Sequence, residues 1–247
     1  EEVPVSDLYA AIGKLEIISI TLDPPDNAQL IFESLNSTGL ALTEGDKIRN
    51  YILMGLPPQD QTKYFDTYWA KIENCTGNDV SGFVRDYLSI KQQITPTISN
   101  VYRAFKNYSE SVALPVDTLL GDLLRYARIF EKLRTCKSGL KEPQLDDCLY
   151  RLMRLEIVVT RPFLMEVLRL NQDGKLSVAD VLKIFLITEN YLFRRNICEV
   201  PTNALNKIFL NLNKEILRYD NTADNYVAKF VYALLSKKES GRFPDDQ

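Results

Sequence analysis

Apolar residues recur at intervals of three and four from residue 26 almost to the end of the chain, the spacing that gathers them on one face of an α-helix. One such run is Leu119, Leu120, Leu123, Leu124, Ala127 and Phe130. The spacing predicts helices over about 59–75, 79–93, 98–111, 115–136, 142–156, 160–170, 177–198, 201–219 and 224–239. The breaks between them are short, so neighbouring helices are expected to pack antiparallel, as in bundles. No fixed period repeats along the chain, which leaves a solenoid without support. The expected fold class is therefore mainly α, a multi-helix bundle.

The amino-terminal part reads differently. Leu15–Leu22 (LEIISITL) is short and β-branched and is bounded by Asp23-Pro24-Pro25, which makes it the one clear strand candidate. A lone strand leaves backbone donors and acceptors unpaired, and no convincing partner follows, so its sheet is expected in residues that this chain does not include. The chain begins at Glu1 rather than Met, as expected of a processed or trimmed protein. Asp26 is placed to cap a helix carrying Ala28, Ile31, Phe32 and Leu35, which Ser37-Thr38-Gly39 ends. Thr43 then opens a helix, with Asp46 three residues on as a shortened capping box. That helix presents Ile48, Tyr51 and Ile52 and stops before Pro57-Pro58.

Composition limits the chemistry more than the fold. With 247 residues, 45% hydrophobic and 26% charged, the chain can bury a sizeable core as one large domain or two small ones. The formal net charge of −3 gives no global sign of nucleic-acid binding, though a local basic face would not show in it. Cys75, Cys136, Cys148 and Cys198 lie far apart with no C-x-x-C pair, so reduced, mostly buried thiols in the cytoplasm are expected. No apolar run approaches the roughly 20 residues of a membrane span, and no signal peptide is visible. The chain has no histidine. That excludes a Ser-His-Asp triad, an H-E-x-x-H zinc site and a ββα-metal nuclease centre within it, because each needs an imidazole.

Several local patterns admit both a chemical and a structural reading. Arg169–Asp180 (RLNQDGKLSVAD) sets Asn171, Asp173, Gly174, Ser177 and Asp180 at calcium-loop spacing. Arg169 stands where the first carboxylate belongs, so a helix–turn–helix link with Gly174 in the turn and Ser177 as cap is the better reading. Arg194 and Arg195 sit near a helix end and point about 100° apart. They can complement the helix C-terminus, contact DNA or another domain, or form a buried ion pair with Glu189 or Glu199. Asp146-Asp147 diverge on a helix and read as first-turn acids rather than a paired-carboxylate site. Tyr64, Phe65, Tyr68 and Trp69 form a packing stripe in preference to a base-stacking platform.

The segment Ile31–Leu53 is harder to reduce to packing. A helix ends near Asn36, a small polar turn follows, and the amides of the helix opened by Thr43 could receive an anion. Asp46 and Asn50 share a face and Arg49 lies beside Asp46, although a plain Asp46–Arg49 pair accounts for the same pattern.

This segment resembles a known family. Phe32-Glu33-Ser34-Leu35-Asn36-Ser37-Thr38-Gly39, Leu42-Thr43 and Asp46-Lys47-Ile48-Arg49-Asn50 are similar to the F-E-x-L-N-x-x-G…L-(S/T)-x-x-D-x-(I/L)-(R/K)-N block of GmrSD-type proteins, which lies in their ParB/sulfiredoxin-like domain. Arg194-Arg195-Asn196-Ile197-Cys198 and Pro201-Thr202-Asn203-Ala204-Leu205-Asn206-Lys207-Ile208-Phe209 resemble a block of the same family's helical region. The resemblance implies nucleotide-dependent restriction of modified phage DNA, with a D-G-Q-Q-R motif handling the nucleotide and a His-containing domain cutting DNA. This chain has no D-G-Q-Q-R, its only Gln-Gln pair being Gln92-Gln93, and no histidine.

The division implied is 1–56 as the carboxy-terminal remnant of a ParB-like nucleotide-handling domain and 57–247 as the helical bundle. Asn36, Gly39, Asp46, Arg49 and Asn50 would complete a nucleotide pocket in the full-length parent, Asn36 placing a phosphate or its attacking water and Arg49 neutralising phosphate charge. Arg194 and Arg195 would face DNA or a domain interface. No cofactor is expected in this chain itself, while a nucleoside triphosphate with Mg would belong to the parent. The expected partners are the remainder of its own protein, DNA and further copies of itself, without a membrane. A helical protein-interaction scaffold and a DNA-binding helical module are the alternatives. The isolated chain is expected neither to hydrolyse nucleotides nor to cut DNA. Turnover by the purified chain that Asn36→Ala abolishes would refute this.

Overall fold

The computed structural model describes residues 4–16, 42–218 and 223–245. It divides into two units, Glu1–Ala41 and Leu42–Gln247. In the first, the described helix is α1 (Val5–Ile12), which the expectations above do not include although Val5, Leu8, Tyr9 and Ile12 follow helical spacing. Leu15 and Glu16 belong to neither helix nor strand. The rest of the expected strand, the helix expected from Asp26, and Asn36 and Gly39 lie outside the described residues.

The second unit contains α2 (Glu44–Leu53), α3 (Pro58–Tyr64), α4 (Ala70–Thr76), α5 (Val80–Gln92), α6 (Val101–Val112), α7 (Val116–Thr135), α8 (Pro143–Arg154), α9 (Arg161–Gln172), α10 (Val178–Ile197), α11 (Leu205–Leu217) and α12 (Tyr226–Leu235). Among the described residues no strand occurs, and the protein is mainly α, as its apolar spacing predicts. The observed division falls at Ala41/Leu42 rather than after residue 56. The reason is α2, which packs on α5 and α6 and so joins the helical body.

The helix ends are written in the sequence. Pro58 and Pro143 occupy first helical positions, where a missing N–H costs nothing. Ser177 and Asp180 form a reciprocal capping box at the start of α10. One expected helix, 59–75, is interrupted by a π-helical turn at Phe65–Trp69, where Ala70 N–H reaches back to the Phe65 carbonyl. The wider turn shifts the helix register. Trp69 and Ile72 are buried, while Tyr64 and Tyr68 stack with ring centroids 6.1 Å apart. These aromatics pack, in agreement with the structural reading.

α9 is the centre of the unit, in contact with α5, α7, α10 and α11. Phe163, Leu164, Met165, Val167, Leu168 and Leu170 are all buried, more than one stripe's worth, as expected of a helix enclosed on most sides. Each such side chain contributes roughly 1.5–3 kcal/mol by leaving water. Glu166 is buried among them. Its carboxylate accepts from Tyr126 Oη at 2.7 Å, from Arg169 Nε and Nη2 at 2.9 and 3.0 Å, and from Asn213 Nδ2 at 3.3 Å. Burial and the Glu166 charge together raise the Tyr126 phenol far above its ordinary range, so it stays a donor.

Asp86 of α5 is the other buried acid among the described residues. Its Oδ2 lies 2.8 Å from Arg161 Nε, yet neither atom makes a well-aligned hydrogen bond. Burial pushes the Asp86 carboxyl up to about 7, outweighing the pull of Arg161 and Arg85.

Two predictions follow from this packing. A Cβ added at Gly45 would lie 2.8 Å from Val80 Cβ, so Gly45→Ala should lose about 1–3 kcal/mol by overpacking despite its better helix propensity, read as a lower urea midpoint. Asp86 holds its proton more tightly when folded than when unfolded. Its contribution to stability is therefore fully present below the unfolded carboxyl value of 3.8 and is lost as pH rises through about 7. Denaturation of wild type and Asp86→Asn between about pH 5 and pH 8 should show their stability difference changing across that window; parallel profiles would contradict it.

Candidate functional site

The structure assigns intramolecular work to most of the side chains that the sequence singles out. At the start of α2, Asp46 Oδ2 accepts from Thr43 N and Thr43 Oγ1 at 3.2 and 2.7 Å, and Asp46 N donates to Thr43 Oγ1 at 3.1 Å. Gly45 N donates to Ser81 Oγ at 3.0 Å. The expectation that these first-turn amides receive an anion is corrected: Gly45 N and Asp46 N are already satisfied by the chain itself. Glu44, just before them, links its own helix to one packed on it. It accepts from Tyr102 N at 2.8 Å, in the first turn of α6, where a negative charge is favoured, and pairs with Lys47 at 2.7 Å.

Arg49 lies between two carboxylates, Asp46 Oδ1 and Glu73 Oε1, each at 3.2 Å. Glu73 Oε1 also accepts from the buried Trp69 indole N–H at 2.8 Å. This cluster carries two acids to one base, with the Arg49 side chain about 30% exposed. The pairing predicted as the structural explanation of Asp46 and Arg49 is the one observed. Its side chains are roughly 30% exposed, where such pairs contribute about 0–1 kcal/mol. Asn50 is half-buried on the same helix, and its carbonyl accepts from Met54 N at 2.8 Å. Its side chain has no hydrogen-bond partner among the described residues.

Arg195 is buried. Its Nη2 donates to the Pro201 carbonyl at 2.6 Å and its Nη1 to the Arg242 carbonyl at 3.2 Å, with the guanidinium 5.2 Å from the Tyr191 ring centroid. Tyr191 Oη donates to the Gly241 carbonyl at 2.7 Å. Arg195 thus fastens the turn after α10 and the segment after α12 to the helix, and DNA cannot reach it in the folded protein. Glu189 is taken by Arg151, so the ion pair foreseen with Glu189 does not form. Arg194 is half-buried, donating from Nε to Asn190 Oδ1 at 2.8 Å.

The calcium-like segment is a turn. Gly174 adopts φ +71°, Asn171 Nδ2 donates to the Leu176 carbonyl at 2.8 Å, and Asp173 is held by Arg125 and Arg169. Asp146 accepts from Ser138 N at 2.8 Å, a structural role beside the start of α8. Among the described residues no group of three or more Cys, Asp or Glu side chains could hold a metal ion. The cysteines are unpaired: Cys148 is buried, Cys75 and Cys136 are half-buried, and Cys198 is exposed. Among the described residues no helix is long and apolar enough to cross a membrane.

What the sequence does not single out is the cleft between α7, α8 and the start of α9. Leu149, Leu152, Met153, Ile157 and Leu164 form its apolar walls, and Arg134, Glu156 and Arg161 are its charged members. These residues come from three separate helices and the connection 155–160, and only their assembly makes the concavity. No family model, curated protein or solved structure matches the chain.

Proposed function

We propose that this chain is the central helical portion of a nucleotide-dependent protein that restricts or processes DNA, of the GmrSD type, and that it is not catalytic alone. The observation that carries the reading is the pair of sequence blocks, Phe32–Asn50 and Arg194–Phe209, which resemble that family in the same order. The roles of their described residues support it. Thr43 and Asp46 cap α2, Arg195 binds the Pro201 carbonyl, and Leu205 and Phe209 are buried in α11. A shared pattern carried by joint-forming residues is what a shared helical architecture would require.

On this reading the helical body holds the nucleotide-handling and DNA-cutting parts of the parent in register. Arg49 and Asn50 are the described residues proposed to reach the nucleotide there, while Asp46 acts through its cap.

A second reading, a helical protein-interaction scaffold, is favoured by one observation. Phe193, Ile197, Tyr232 and Leu235 on α10 and α12 are exposed apolar side chains, and such groups often mark contact surfaces when they form one patch.

In the full-length protein, Arg49→Ala and Asn50→Ala should each weaken binding of a fluorescent nucleoside triphosphate about tenfold. Thr43→Ala should instead lower stability by about 1 kcal/mol and leave affinity nearly unchanged. Affinities unaffected by the first two changes would remove the nucleotide assignment. Association with DNA that weakens steeply with salt would support the first reading; self-association indifferent to salt, without DNA binding, would favour the scaffold.

A further inference from the structure

The cleft between α7, α8 and α9 offers about 220 Å³ to a ligand, room for a small apolar body and too little for a macromolecule. Its walls are aliphatic, so desolvation would drive such a body into it. Arg161 and Arg134 are the bases of its wall and Glu156, which is exposed, the acid, while Arg161 is also paired with Asp86, which lies outside the lining. Arg134 donates from Nε to the Cys75 carbonyl at 3.3 Å and is in no ion pair among the described residues. Thr160 Oγ1 already donates to the Ile157 carbonyl at 3.0 Å, so the hydroxyl cannot serve an incoming acceptor.

Arg161 is the group best placed to do so. Its guanidinium lies 5.1 Å from the Phe130 ring centroid; its Nε pairs with Asp86 Oδ2 at 2.8 Å, and its two Nη groups make no hydrogen bond among the described residues. The Asp86 carboxylate beside it is not part of the cleft wall. Because burial pushes Asp86 up to about 7, around neutrality it offsets only part of the arginine charge.

We propose that this cleft binds a small apolar monocarboxylate, its hydrocarbon body against Leu149, Leu152 and Met153 and its carboxylate on Arg161. A monocarboxylate brings one negative charge and leaves the rest of the ligand apolar, as the aliphatic wall requires, whereas a phosphate monoester would bring up to twice the charge against that wall. This proposal is independent of any role in DNA restriction.

Octanoate and 1-octanol serve as paired probes, titrated against the chain carrying methyl-labelled methionine. Octanoate should shift the Met153 methyl resonance and bind about tenfold more tightly than octanol. Arg161→Gln should erase that preference. Met153 is about half exposed at the cleft, so Met153→Trp, followed by titration calorimetry because the labelled methyl is gone, should block both probes without lowering the unfolding midpoint. If Arg161→Gln unfolds the chain by stranding Asp86, the Asp86→Asn/Arg161→Gln double variant takes its place. An unmoved Met153 resonance at saturating octanoate, binding that survives Met153→Trp, or a preference for octanoate that survives loss of the guanidinium would each overturn the proposal.

Discussion

A carboxylate placed inside a helix bundle has to be answered there, and Glu166 imposes that demand on this protein. The helix around it, α9, is enclosed on most sides, so the charge has no water to retreat to. Arg169, one turn on, supplies two parallel hydrogen bonds. Tyr126 from α7 and Asn213 from α11 supply the rest, and Tyr226 at the start of α12 donates to Asn213 Oδ1 at 2.8 Å. Four helices are thereby oriented on one acid. An ion pair of this kind adds little net stability compared with apolar packing, but removing one partner is costly. Its effect is to admit one arrangement of α7, α9, α11 and α12 over others of similar apolar burial.

The network also reaches the surface. Arg169 continues to Asp173 at 2.6 Å, and Asp173 is shared with Arg125 of α7. That holds the turn where Gly174 adopts a left-handed conformation and α9 gives way to α10. The segment with calcium-loop spacing is thus an end of the same polar system. Asp173 is matched by two arginines, which lowers its carboxyl below the usual range, and Asp180 is held by the Ser177 cap, so the segment is a poor starting point for a cation site.

The same economy governs the positions that looked most chemical. Thr43-Glu44-Gly45-Asp46 supplies a cap to its own helix, a carboxylate to α6, a close approach to Val80 and a partner to Arg49. Arg195 is absorbed in binding carbonyls. Candidate chemistry is left where donors remain without a partner among the described residues: the amide of Asn50, and the Nη groups of Arg161 in the cleft.

Helix content and most helix ends were legible in the sequence, because apolar spacing, Pro58, Pro143, Thr43 and Ser177 act over a single turn. The Asp46–Arg49 pair and the turn at Gly174 were legible for the same reason, since their partners lie within a few residues. The π-turn at Phe65–Trp69 was not, because it depends on which neighbours Trp69 meets. Nor was the burial of Arg195, whose partners include the carbonyl of Arg242, or the answering of Glu166 by α7 and α11. Local spacing and capping chemistry decided which segments are helices. Only the tertiary structure decided which charges are spent inside and which stay available, because pairing across long stretches of sequence depends on how the helices meet.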